Sequence, residues 1–134
     1  MAIMDANYNI QTNRGDVLSL TIKSKIKTDP DGNYAKFLIG DVVRFSIMER
    51  NNCENIILQK DITIEEECES VKIRMTADEM KIGEIISKPV DYWYEVQVNP
   101  DTPNTITILG YKSKKSGPKI LTLLPEGGDK KWLN

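Results

Sequence analysis

Histidine is absent from this chain of 134 residues, and cysteine occurs only twice, as Cys53 and Cys68. Without histidine there is no ordinary general base near neutral pH, no imidazole ligand for zinc and no Ser–His or Cys–His nucleophile pair. Two isolated cysteines do not make a structural zinc site. In a chain expected to be made in a cytoplasm they read as free thiols, although a Cys53–Cys68 disulfide is the alternative. Aromatic residues amount to only 7%, which leaves few candidates for a stacking platform. There is no G-x-G-x-x-G and no Gly-Lys-Ser/Thr, and so no nucleotide-binding loop. No paired carboxylates stand in a recognisable catalytic setting. We therefore assign no catalytic, cofactor-binding or metal-binding residue, and expect neither an enzyme nor a small-molecule substrate. The opening stretch MAIMDANYNIQTNRGD lacks a basic segment followed by an apolar run, so neither a signal peptide nor a membrane anchor is expected. A net charge of −2 gives no general attraction to nucleic acid.

What is present is alternation. Hydrophobic residues make up 40% and charged residues 28%, the balance of a soluble globular chain. The length suits a single domain over residues 1–134, with its core in about 8–127 and short tails. Apolar and polar residues alternate with the period of half-buried strands. Leu18, Leu20 and Ile22 do so in GDVLSLTIKSKI, and Val43, Phe45 and Ile47 in GDVVRFSIME. Val71, Ile73 and Met75 follow in SVKIRMT, then Tyr92, Tyr94, Val96 and Val98 in VDYWYEVQV. Further strands are predicted at about 55–64 (NIILQKDITI), in NTITILGY and in PKILTLLP. Turn-forming stretches, among them TDPDGN, RNNCEN and NPDTPN, separate them. Short strands at this spacing predict an antiparallel sandwich or barrel. One segment departs: TADEMKIGE carries Thr76 and Glu79 as a capping box and ends at Gly83, predicting a single helical turn over about 77–82.

Several short motifs invite functional readings. Arg14-Gly15-Asp16 spells an adhesion tripeptide, but GDVLSLTI is echoed by GDVVRFSI without the arginine. The echo suggests one device for turning the chain into a core strand, used twice. On that reading Gly15→Val damages folding and Arg14→Ala leaves stability nearly unchanged. The acidic run EEECES lacks the alternation and sharp glycine turn of a calcium loop and reads as a solvated loop. Lys112, Lys114, Lys115 and Lys119 form a basic stretch around a Gly-Pro turn. Alternation splits the cluster Tyr92-Trp93-Tyr94, sending the two tyrosines inward and Trp93 outward, where a tryptophan suits an interface. The candidate interface residues are Trp93, Tyr111, Lys114, Lys115 and Trp132, the last following a flexible Gly-Gly.

The order of these features resembles the immunoglobulin-like domains of bacteriophage and prophage structural modules. It is similar to the N-terminal domain of phage baseplate upper proteins. In that family a Lys/Arg-Gly-Asp turn enters the first core strand, matched by Arg14-Gly15-Asp16. A V-x-F-x-I strand follows, matched at Val43, Phe45 and Ile47. A T-x-E/D-x turn then crosses the sandwich, as residues 76–81 would, and a Y-x-Y-E/D-V/I strand returns, matched over 92–96. The resemblance spans about 8–127. It implies an immunoglobulin-like β-sandwich and a non-enzymatic tail or baseplate protein located in the virion. Its partners would be other virion proteins and copies of itself, with no nucleic acid, membrane or cofactor involved. Baseplate upper proteins continue into a long linker after this domain, whereas this chain ends at Asn134, which suggests an adaptor or decoration. Two alternatives are a capsid decoration or head-fibre protein, and a carbohydrate-binding module for the host cell surface that uses Trp93.

Overall fold

A computed structural model describes residues 3–5, 7–24, 36–83, 87–103, 105–109 and 118–125. Its strands, in chain order, are β1 (Ile3–Met4), β2 (Ile10–Asn13), β3 (Leu18–Lys23), β4 (Val42–Glu49), β5 (Asn52–Thr63), β6 (Ser70–Met75), β7 (Val90–Val98), β8 (Ile106–Leu109) and β9 (Lys119–Leu124). The larger sheet runs β1-β2-β9-β7-β4-β5, with β8 also on β7, while β3 and β6 pair by themselves. The two sheets, one of them mixed, make an all-β, sandwich-like fold.

The alternation seen in the sequence sets which side chains face inward. β3 alternates strictly between buried and exposed, and its partner β6 sends Ile73 and Met75 inward. Val43, Phe45 and Ile47 of β4 join Tyr94, Val96 and Val98 of β7 and Leu121 and Leu123 of β9 in one core cluster. The Phe45 and Tyr94 rings meet with centroids 5.7 Å apart. Fully burying a side chain of this size contributes about 1.5–3 kcal/mol, so the two facing layers are held mainly by this cluster. The Tyr94 hydroxyl donates to the Tyr8 carbonyl, tying β7 to the segment before β2.

Among the described residues, every strand pair is antiparallel except one. β2 lies parallel to β9, from Ile10 opposite Leu121 to Asn13 opposite Leu124. After β2 the chain crosses to β3 in the other sheet, so no hairpin dictates its direction against β9.

The two Gly-Asp motifs make the same turn. Asp16 N–H donates to the Asn13 carbonyl at 3.1 Å, and Asp41 N–H to the Leu38 carbonyl at 3.0 Å. The glycine before each aspartate has positive φ, +82° at Gly15 and +92° at Gly40, which a side chain with a Cβ adopts only with strain. Each glycine N–H also reaches across the fold, Gly15 to the Met80 carbonyl and Gly40 to that of Ile64. Asp41 further accepts from the Leu38 N–H through its carboxylate.

The predicted helical turn is present as one hydrogen-bonded turn over 77–80. Met80 N–H donates to the Thr76 carbonyl at 3.1 Å. The capping box is closed both ways: Glu79 N–H donates to Thr76 Oγ1 at 3.2 Å, and Thr76 N–H to Glu79 Oε1 at 2.8 Å. Met80 and Ile82 are buried and pin the turn to the core.

Arg14 corrects the expectation that its side chain is dispensable for stability. The residue is only 8% exposed. Its Nε donates to the Ile82 carbonyl at 3.0 Å, and Nη2 to the Gly83 carbonyl at 2.9 Å and more weakly to that of Lys81 at 3.4 Å. The guanidinium thus caps the end of the 76–83 turn. A side chain committed to three carbonyls is a structural clamp, and the adhesion reading of the tripeptide has no support in this placement.

Candidate contact surface

The outer face of the large sheet is built by register. Residues directly opposite one another across paired strands lie on the same face. On β4, Arg44, Ser46 and Met48 point away from the core, and each heads a row crossing the sheet.

The Arg44 row is polar. Arg44 sits opposite Asp61 on β5 and Gln97 on β7. It grips the Asp61 carboxylate with both ends of its fork, Nε at 2.8 Å and Nη2 at 2.9 Å, and reaches Asp101 with Nη1 at 3.0 Å. The charge-assisted pair with Arg44 holds the Asp61 carboxyl below the usual carboxylate range.

The next row places Ser46 between Gln59 and Glu95. Gln59 Nε2 donates to Ser46 Oγ at 3.3 Å. Glu95 is partly buried, and that desolvation pushes its carboxyl above the usual range.

The third row is apolar and crosses four strands. Ile56 lies opposite Met48, Met48 opposite Trp93, and Trp93 opposite Ile120. Met48 is buried at 4% exposure, while Ile56 stands out at 48%. Beside this row is a groove of about 400 Å³ lined by Met48, Cys53, Trp93, Tyr94, Glu95 and Pro118. It opens where β5 departs from regular pairing, since the register against β4 shifts on both sides of Met48.

Of the candidate interface residues, the structure places Trp93 on this outer face, at the centre of the apolar row. Tyr111, Lys114, Lys115 and Trp132 lie outside the described residues, as does Lys112. Lys119 opens β9 opposite Tyr94. Cys53 and Cys68 are free thiols, Cys53 exposed and Cys68 partly buried. Glu65, Glu66 and Glu67 are exposed in the loop before β6, and Lys36 approaches Glu67 at 3.6 Å.

Sequence reasoning missed Met48, Ile56 and Glu95 as members of this surface. Met48 reads as the outward, unremarkable partner of an alternating strand, and its neighbours come from strands distant in the chain. The one available signal was the pairing of a bulky outward Trp93 with an adjacent outward Glu95 in VDYWYEV.

No protein-family model matches the chain, and no curated protein matches its sequence.

Proposed function

We propose that this chain is a non-enzymatic structural component of a bacteriophage or phage-like particle, located in the tail or baseplate and acting through protein–protein contacts. The observation that supports this reading is the convergence of its motifs at one corner. Arg14 of the Arg-Gly-Asp turn donates to the carbonyls that end the 76–83 turn. Tyr92, which opens the Tyr-x-Tyr strand, has its hydroxyl beside Gly83 at the same corner. These are the elements whose order resembles the baseplate domains, and here they form one interlocked unit. Such a unit suits a rigid module whose outer sheet face does the work.

The apolar row on that face supplies the contact. Symmetric particles multiply weak contacts, so a modest patch suffices for stable assembly. The carbohydrate reading has to rest on Trp93, since Tyr94 beside it is 1% exposed and offers no stacking face.

The test is to separate heads from tails of purified particles and identify this chain by mass spectrometry. It is expected in the tail fraction. Recovery with heads would favour the decoration alternative, and absence from both fractions would remove the virion reading.

A further inference from the structure

We propose that the groove between Cys53 and Pro118 receives a lysine or arginine side chain from a partner protein, with its aliphatic stem against Met48 and Trp93 and its cation on the Glu95 carboxylate. The groove deepens the contact reading above and rests on it for its place in an assembly.

Three observations carry the assignment. First, Glu95 differs from two other carboxylates of the fold. Asp61 is held by Arg44 at 2.8 Å and Glu79 by Lys60 at 2.9 Å. Among the described residues no cation reaches Glu95, and burial is the sole cause displacing its carboxyl. A carboxylate placed among apolar groups without a counter-charge is destabilising, and a cation arriving from outside relieves that cost. Second, the side chains beside Glu95 are apolar or aromatic, Met48, Trp93 and Pro118, with the Cys53 thiol at one edge. Such walls favour methylenes rather than a small hydrated ion. Lys and Arg are the side chains that join a long aliphatic stem to a cationic head, and the Trp93 ring adds attraction for that cation. Third, about 400 Å³ is room for one long side chain with part of its flanking backbone. A metal ion fits less well, since no group of three or more Asp, Glu, Cys or His ligands stands together among the described residues.

The test uses the full chain, labelled with nitrogen-15, and three blocked tripeptides: Ala-Lys-Ala, Ala-Arg-Ala and Ala-norleucine-Ala. Norleucine keeps the stem and removes the charge. The lysine and arginine peptides should produce saturable shifts at the amides of Met48, Cys53, Trp93 and Glu95. The norleucine peptide should bind about tenfold more weakly, the loss of one charge-assisted contact. In Glu95→Gln the three peptides should become equivalent. Retained peak dispersion, with higher stability at neutral pH, would show that this variant is folded. Equal binding of the norleucine peptide to the unaltered protein would overturn the proposal, as would a preference for lysine that survives Glu95→Gln, or no saturable shift with any peptide. This outcome is independent of the particle fractionation. A failed titration with the chain present in tails removes the groove alone, and a positive titration with the chain in neither fraction removes the virion reading alone.

Discussion

Replacing Arg14 with alanine removes the donors that close the 76–83 turn. The contacts to Ile82 and Gly83, at 3.0 and 2.9 Å, have good geometry, whereas the Lys81 contact at 3.4 Å is marginal. A hydrogen bond from a charged donor contributes about 1.5–3 kcal/mol, so two set an upper bound of about 3–6 kcal/mol. The Gly83 carbonyl is only part-buried, and water entering the vacated space recovers some of this. A net loss of about 2–4 kcal/mol is expected for Arg14→Ala, which for a chain of this length lowers the melting temperature by about 8–15 °C. Urea unfolding followed by tryptophan fluorescence and far-ultraviolet circular dichroism measures it directly. Arg14→Met keeps most of the stem and should lose nearly as much. Arg14→Lys retains the charge but not the fork and should recover only part. An Arg14→Ala protein within about 0.5 kcal/mol of the parent, the range of an ordinary surface substitution, would refute the clamp.

Other substitutions probe separate parts of the fold. Thr12 is fully buried on β2, and its Oγ1 has no hydrogen-bond partner among the described residues. Thr12→Val keeps the shape and removes the unsatisfied hydroxyl, so it should raise stability by about 1–2 kcal/mol in the same urea assay; a loss would mean that the hydroxyl has a partner. Thr76→Ala opens the capping box and should cost about 1 kcal/mol, whereas an unchanged midpoint would show that the turn is held by Arg14 alone. Glu95 titrates higher in the folded chain than in the unfolded one because of burial. Its contribution to stability is therefore fully present below the unfolded pKa and is lost as pH rises through the folded pKa. Glu95→Gln should accordingly be more stable than the parent at pH 7, with the gain disappearing in acid; an equal gain at both pH values would assign the effect to something other than ionisation.

The parts of this fold that were legible in the sequence are those set by neighbours along the chain. β3, β4, β6 and β7 announce themselves because each has one buried face, and strict alternation follows from that alone. The capping box and the two Gly-Asp turns are equally local, since every group they need lies within four residues. β2 was not anticipated, because its four residues gain their place only by lying parallel to β9, more than a hundred residues away. Arg14 was misjudged for the same reason: its acceptors lie 67 to 69 residues downstream, and nothing beside it in the sequence marks it as buried. In β5, the apolar residues Ile56 and Ile57 are exposed, at 48% and 38%. The register shift beside Met48 disturbs the alternation there, and no residue pattern in NIILQ signals it. The contact surface shows the same split. Trp93 was legible as outward, while the row joining it to Met48, Ile56 and Ile120 exists only once four strands are aligned.

We propose that this sandwich is a contact module in a phage-type tail, using the outer face of its large sheet. The most direct measurement is a cryo-electron microscopy map of the tail and baseplate of purified particles, at a resolution that resolves strands. Density for the two-sheet sandwich is expected in the baseplate region, with the Met48–Trp93–Ile120 row covered by a neighbouring protein. A tail and baseplate map with no such sandwich, or one in which that row faces solvent in every copy, would contradict it.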